Sequence, residues 1–190
     1  MMRIGVDFGG TKIEAAAIAD DGAFAARIRE PNPGSYDAAL ALVADLIAQV
    51  EARAGVARSV GVAIPGSPSP HTGLIRNANS TYLNGRPFGD DLEVALKRPV
   101  RLANDANCLA LSEAVDGAGV GVGGLFGVIL GTGCGGGLVI DGKLIEGAHG
   151  VAAEIGHISL PWPTADEAPG PACWCGLSGC LETWISGTGF

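Results

Sequence analysis

Positive charge is scarce in this chain: 12 Lys and Arg stand against 20 Asp and Glu in 190 residues, a formal charge of −8. That balance repels phosphate backbones and anionic headgroups, so no nucleic acid and no membrane is expected to bind through a broad basic face. A small ligand, neutral or chelated to a metal, fits better. Long apolar runs are also missing. The longest candidate, Leu125 to Leu130, is the size of a strand and well short of the roughly 18 residues of a membrane span. No basic region followed by an apolar stretch opens the chain, because Asp7 and Gly9-Gly10 interrupt it, and a cytoplasmic protein is expected. The pattern G-x-x-x-x-G-K-[ST] is absent, which excludes a Walker A loop, and no solenoid-type repeat occurs. Charged residues reach only 17% against 47% apolar ones, too apolar a balance for a disordered chain.

What is abundant is glycine, 31 residues gathered at Gly9-Gly10, through Gly117 to Gly124, at Gly131 to Gly137 and around a cysteine cluster. Such grouping marks turns and not low complexity. Arg3–Phe8, Lys12–Ala19 and Ala23–Arg29 read as three strands of an antiparallel meander, with a glycine corner after the first and a hairpin turn at Asp20-Asp21-Gly22. Tyr36, Leu40, Val43, Ile47 and Val50 recur at helical spacing, with Ser35 placed to cap the helix and Gly55 beyond its end. Strands are expected at Ser59–Ile64 and Pro99–Ala103, a short helix over Asp90–Lys97, and another from Asn104 to about Val115. Beyond the glycine stretch, which reads as a linker, Leu125–Leu130 and Leu138–Ile140 are strands around a second glycine corner, followed by a turn at Asp141-Gly142. A helix starts at Leu181–Ile185. Three strands with a glycine corner thus occur twice, which predicts an α/β protein of two related lobes, divided as 1–118 and 119–190 and facing a cleft.

Asp7 ends a strand beside Gly9-Gly10-Thr11, a turn whose N–H groups can face an anion while the carboxylate holds an accompanying Mg²⁺; a tight turn with a capping Asp is the alternative. Gly131-Thr132-Gly133 repeats the arrangement. Asp105 follows a strand and opens a helix, where a carboxylate can accept a proton from a substrate hydroxyl or simply cap the helix alongside Asn104. His157, Cys173, Cys175 and Cys180 form an H-x15-C-x-C-x4-C set, one imidazole and three thiolates, the shell expected of a structural tetrahedral Zn²⁺, with reduced structural cysteines as the alternative. Cys108 and Cys134 read as packing residues. Glu154 and Glu182 flank that set, either as surface acids or as carboxylates that orient vicinal sugar hydroxyls. His71 and His149 have no assigned role.

Taken together, Asp7-Phe8-Gly9-Gly10-Thr11-Lys12, Ile64-Pro65-Gly66, Asn104-Asp105-Ala106-Asn107, Leu130-Gly131-Thr132-Gly133, Glu154-Ile155-Gly156-His157 and Cys173-Trp174-Cys175-Gly176-Leu177-Ser178-Gly179-Cys180-Leu181-Glu182 resemble the ROK sugar kinases, from Arg3 to Phe190. Asn77-Ala78-Asn79-Ser80-Thr81, Leu83-Asn84-Gly85, Leu160-Pro161-Trp162 and Ile185-Ser186-Gly187-Thr188-Gly189-Phe190 look most like the bacterial fructokinase (mannofructokinase) branch, with the N-acetylglucosamine kinase branch next. The resemblance implies an actin-like, RNase H-like two-lobed kinase that passes the γ-phosphate of MgATP to a hexose, fructose first and mannose or glucose after it, at C6. It implies Asp105 as general base and Gly66, Asn79, Asn104, Asp105, Glu154, His157 and Glu182 around the sugar. Asp7, Gly10, Thr11, Lys12, Gly131, Thr132 and Gly133 match the surroundings of the phosphates and Mg²⁺, and His157 would serve both zinc and sugar. The family continues past the position of Phe190, so the second lobe is expected to be incomplete, and a non-catalytic sugar-binding or zinc-stabilised fragment is the competing expectation. Family repressors carry a helix-turn-helix ahead of the first phosphate motif, where this sequence has six residues. A homodimer is the expected assembly.

Overall fold

The computed structural model describes residues 2–187 and 189. Packing divides the chain into two compact units between Asp105 and Ala106. The first opens with β1 (Arg3–Phe8), β2 (Lys12–Ile18) and β3 (Phe24–Pro31), the expected antiparallel meander. The turn at Asp20-Asp21-Gly22 is closed by the Ala23 N–H donating to the Asp21 carboxylate at 3.0 Å, with Gly22 at a positive φ of 84°. Next come α1 (Tyr36–Ala54), β4 (Ser59–Ile64), the two-residue strands β5 (Ser67–Pro68) and β6 (Ile75–Arg76), α2 (Phe88–Leu96) and β7 (Val100–Asn104). The main sheet has the order β3-β2-β1-β4-β7, with β1, β4 and β7 parallel.

Alternation along these strands sends Ile4, Val6 and Phe8, Ile13, Ala15 and Ala17, and Val60, Val62 and Ile64 into one core. Helix α1 lays Ala39, Val43, Leu46, Ile47 and Val50 into it, the stripe expected from three- and four-residue spacing. Phe88 at the start of α2 is fully buried and edge-on to both Phe8 and Tyr36, with ring centroids 5.3 and 5.8 Å away. Ser35 stands at the N-cap in extended conformation, but its hydroxyl makes no capping bond; its carbonyl accepts the Ala39 N–H at 2.9 Å.

The second unit holds all but the first residue of α3 (Asp105–Val115), with β8 (Gly124–Leu130), β9 (Cys134–Ile140), β10 (Lys143–Leu144), a 3-10 turn at Ile155–His157 and the short α4 (Glu182–Ile185). Two expectations change here. Strand β9 starts at Cys134 and not at Leu138, because Gly135-Gly136-Gly137 are strand residues under a helix and not loop. A Cβ on Gly137 would lie 2.5 Å from the Ala106 carbonyl oxygen and 2.7 Å from the Ala110 Cβ, and one on Gly127 would lie 3.1 Å from the Ala110 Cβ. Glycine weakens an isolated strand, yet here it lets α3 lie close on the β8–β9 hairpin. The glycine stretch after α3 is likewise no free linker: Glu113 holds it, accepting the Ala118 N–H on its carboxylate at 2.7 Å and the Gly119 N–H on its carbonyl at 2.8 Å.

Among the described residues no helix is long and apolar enough to cross a membrane. Of the terminal motif Ile185–Phe190, Thr188 and Phe190 lie outside the described residues. We expect Gly137→Ala to lower stability by about 1–3 kcal/mol, the usual cost of overpacking, read as a lower urea midpoint at unchanged slope. Gly55→Ala, at a helix end with open space around it but a φ of 92°, should cost about 1 kcal/mol.

Candidate active site

Register places the candidate residues of the first unit. Asp7 pairs with Ala63 across β1 and β4, Ala63 pairs with Ala103, and Ile64 with Asn104 across β4 and β7. The three parallel strands therefore end level. Asp7 and the glycine corner, Pro65-Gly66, and Asn104-Asp105 all leave one edge of the sheet, the carboxyl end at which open α/β sheets receive ligands.

Each exit is built for close approach. The Gly9 N–H donates to the Lys12 carbonyl at 2.9 Å, and a Cβ on Gly9 would lie 2.8 Å from that oxygen. The corner is braced by Asn32, whose amide donates to the Gly9 carbonyl at 2.8 Å, whose backbone N–H donates to the Thr11 carbonyl at 2.9 Å, and whose side-chain oxygen accepts the Tyr82 hydroxyl at 2.7 Å. Asp7 is open to solvent on one side, yet crowding by the surrounding protein raises its carboxyl above the usual range. Glu14 adds to that rise, while Lys12 at the start of β2, and Arg29, oppose it. A divalent cation there would remove the repulsion between Asp7 and Glu14.

Gly66 has a φ of 96°, and a Cβ there would lie 2.5 Å from the Arg76 carbonyl and 2.7 Å from the Ala78 nitrogen, so this loop accepts only glycine. Asn104 donates its side-chain amide to the Gly66 carbonyl at 3.1 Å. Asn84 mimics a strand partner for Ala78, accepting its N–H at 2.9 Å and donating to its carbonyl at 3.0 Å. The neighbouring Asn79 is thereby presented with its side-chain oxygen 4.0 Å from where a Gly10 Cβ would stand. Asp105 sits in the first turn of α3, where the positive end of the helix favours negative charge. The first unit thus gathers Asp7, Gly10, Thr11, Lys12, Gly66, Asn79, Asn104 and Asp105 along one edge.

The second unit carries the other set. Its hairpin corner Gly131-Thr132-Gly133 is closed by the Gly131 N–H donating to the Gly133 carbonyl at 2.9 Å, and the Gly187 N–H donates to the Gly131 carbonyl at 2.7 Å. Glu182 is not a surface acid: it is 7% exposed, and its two carboxylate oxygens accept the Cys134 N–H at 2.8 Å and the Trp174 indole N–H at 2.6 Å. Glu154 precedes the 3-10 turn that carries His157. Burial, then Glu182, then Glu154 push the Cys134 thiol up, so both carboxylates act on one point of β9. Cys134 is buried, as expected of a packing residue.

The ligand atoms of His157, Cys173, Cys175 and Cys180 all lie within 4.8 Å of one another. Cys175 and Cys180 sulfurs are 3.6 Å apart, and Cys173 Sγ lies 3.6 Å from His157 Nδ1. Tetrahedral zinc with Zn–S near 2.3 Å requires ligand separations of about 3.7 Å, so the donors fit such an ion with little rearrangement. Nδ1 faces the metal position, which leaves Nε2 for a second partner. Burial first, with the neighbouring Cys175 and Cys173, pushes the Cys180 thiol up to about 12. Cys175 is drawn down by a hydrogen bond from the Leu177 backbone. A metal must therefore displace a firmly held proton at Cys180.

Asn32, Tyr82 and Trp174 escaped the reading of the sequence. The Pro-Asn-Pro-Gly run around Asn32 signals only a turn, and its contacts with Gly9 and Tyr82 lie 23 and 50 residues away. Trp174 is the unconstrained position of a C-x-C motif.

A glycine corner with nearby carboxylates on each of two α/β units, with a metal-binding loop on the second, matches the actin-like sugar-kinase fold. The ROK family model matches residues 3–190, and the chain belongs to the ROK family. An N-acetyl-D-glucosamine kinase of Pectobacterium atrosepticum is 42% identical over all of this chain and 64% of its own length. A ROK family glucokinase from Streptomyces griseus, solved with glucose and AMPPNP, matches with a TM-score of 0.87 and 32% identity over 99% of this chain and 58% of that one. A ROK family transcriptional regulator, a homolog of the E. coli MLC protein, matches with a TM-score of 0.79 and 25% identity over 98% of this chain and 47% of that one. The chain thus spans 64% of the length of the curated relatives it matches. Those relatives are named for N-acetylglucosamine and not for the fructose that the Asn77–Gly85 motifs suggest.

Metal affinity should fall as pH falls, because protons then compete for the thiolates, Cys180 among them. Titrating a zinc chelator against the protein between pH 8 and pH 6 reads this. Cys175→Ser should lower bound zinc from one per chain to well below half, by native mass spectrometry.

Proposed function

We propose that this chain is part of an ATP-dependent hexose kinase that phosphorylates N-acetyl-D-glucosamine at C6. The observation that carries the reading is the level exit of the three parallel strands. It sets an acid and a glycine corner (Asp7, Gly10, Thr11, Lys12), a glycine-only loop (Gly66) and an acid at a helix start (Asp105) along one edge. Phosphoryl transfer asks for little covalent work and depends on alignment and charge neutralisation. Asp7 and the corners at Gly10-Thr11-Lys12 and Gly131-Thr132-Gly133 suit ATP phosphates and Mg²⁺, since backbone N–H groups reach anions where no side chain intervenes. Asp105 takes the proton of the attacking hydroxyl. Asn79, Asn104, Glu154, His157 and Glu182 orient the sugar, with Gly66 close to it. The Cys₃His set holds a structural Zn²⁺ that presents His157 Nε2 to a sugar hydroxyl, as a ligand's other nitrogen commonly serves a second partner.

N-acetylglucosamine stands ahead of fructose because the relatives at 42–43% identity over the full chain carry that name. Fructose is the second reading, favoured by Asn77-Ala78-Asn79-Ser80-Thr81 and Leu83-Asn84-Gly85. A sugar-binding role without turnover is the third.

ADP release by the purified protein with MgATP and, separately, N-acetylglucosamine, fructose, mannose and glucose tests the proposal. Release highest with N-acetylglucosamine is expected, and Asp105→Asn should lower it about 10²–10⁴-fold, the range of general-base catalysis, with circular dichroism unchanged. Sugar binding by calorimetry without ADP release would favour the third reading for this chain and place turnover, if any, in a longer protein. Strongest release with fructose would overturn the sugar assignment alone.

A further inference from the structure

The proposed roles leave Trp174 unused, although it stands between two metal-facing cysteines and is 57% exposed. Its ring lies edge-on to the His157 imidazole, centroids 4.9 Å apart at 84°, so the ligand ring fixes the plane of the indole. The indole N–H then donates to Glu182 Oε1 at 2.6 Å, while Oε2 accepts the N–H of Cys134, the first residue past the Gly131–Gly133 corner, at 2.8 Å. One buried carboxylate thus ties the metal loop to the base of the hairpin. Glycine at position 133 leaves room for it, since a Cβ there would lie 2.6 Å from Oε2. The other end of the corner is strapped by the chain just past α4, through the Gly187 N–H to the Gly131 carbonyl at 2.7 Å.

We propose that Trp174 is a positioning residue: through Glu182 it transmits the geometry of the metal loop to the Gly131–Gly133 corner, so that metal binding orders the second phosphate corner as well as His157. The proposal rests on the reading of that corner as a phosphate site. A carboxylate offers about four acceptor positions, and two N–H donors, one per oxygen, leave one position on each for a ligand hydroxyl. Hydrogen bonds to a buried carboxylate are charge-assisted and stronger than neutral ones. Loss of the indole N–H leaves Glu182 held from the hairpin side alone, free to swing and to release the Cys134 amide.

Trp174→Phe removes the N–H and keeps an aromatic ring against His157. Amide hydrogen exchange of the zinc-loaded 190-residue protein, followed by mass spectrometry, reads the consequence without turnover. The segment 131–135 should exchange about tenfold faster or more, the scale of a lost hydrogen bond to a charged group, with one zinc per chain retained. The Trp162→Phe control, at a side chain 94% exposed, should exchange as the parent does. Unchanged exchange at 131–135 with zinc retained would overturn the proposal, as would acceleration seen only together with zinc loss or equally in the control. Failure of the kinase reading shows as missing ADP release and leaves this exchange result standing.

Discussion

The pairing of β1 with β4, and of β4 with β7, in parallel and in register is the constraint from which the first unit's candidate site follows. Side chains alternate along each strand, so a slip of one residue would turn Ile4, Val6 and Phe8 out of the core and Gly5 and Asp7 into it. The hydrophobic pattern therefore locks the register. Locked register makes the three strands end level, and each candidate exit begins within three residues of the last core-facing side chain: Gly9 after Phe8, Gly66 after Ile64, Asp105 after Leu102. Core packing and ligand geometry are one decision in this sheet.

Glycine does two different physical jobs in this chain. At Gly66 the backbone itself is left-handed and hemmed in by the Arg76 carbonyl and Ala78 nitrogen, so the residue is set by conformation. At Gly133 and Gly137 the backbone is ordinary, and what matters is the missing Cβ: a carboxylate reaches in at one, a helix backbone at the other. Composition alone cannot tell these apart, and the distinction explains why the run at 131–137 reads as a loop although most of it is strand.

Legibility follows the range of the interaction. Strands β1, β2 and β4 and helix α1 were readable because their signals are periodic and local, and the metal set because three of its four donors lie within eight positions. Ser35 stands at the N-cap as read, but a local backbone bond closes the first turn without its hydroxyl; the start of β9 was misread because the deciding contact is tertiary, α3 packed close on the glycines. Glu182 was read as a candidate sugar contact or a surface acid, but its buried carboxylate is bonded to Cys134, 48 residues away, which no local pattern reveals. The division at Asp105 is invisible for the same reason, since α3 belongs with β8 and β9 through contacts of Ala106 and Ala110 with Gly127 and Gly137.

A fold shared with a glucokinase at a TM-score of 0.87 and with a transcriptional regulator at 0.79 cannot by itself decide a substrate; groups on its surface must. Those groups differ in how firmly the fold holds them. Glu182 is fixed by donors on two sides, and Gly66 by sterics, so neither can move to suit a different sugar without disturbing buried structure. Asn79 is exposed and follows Ala78, whose backbone is held by the Asn84 amide outside any sheet ladder. A difference of one hydroxyl or one acyl group is worth only about 1–3 kcal/mol of discrimination in a site that merely adapts to it. Changes of that size are accommodated most cheaply where the backbone is held by side chains and not by the core. The exposed Asn79 side chain, next to a backbone braced by Asn84, meets that condition, and the sheet edge does not.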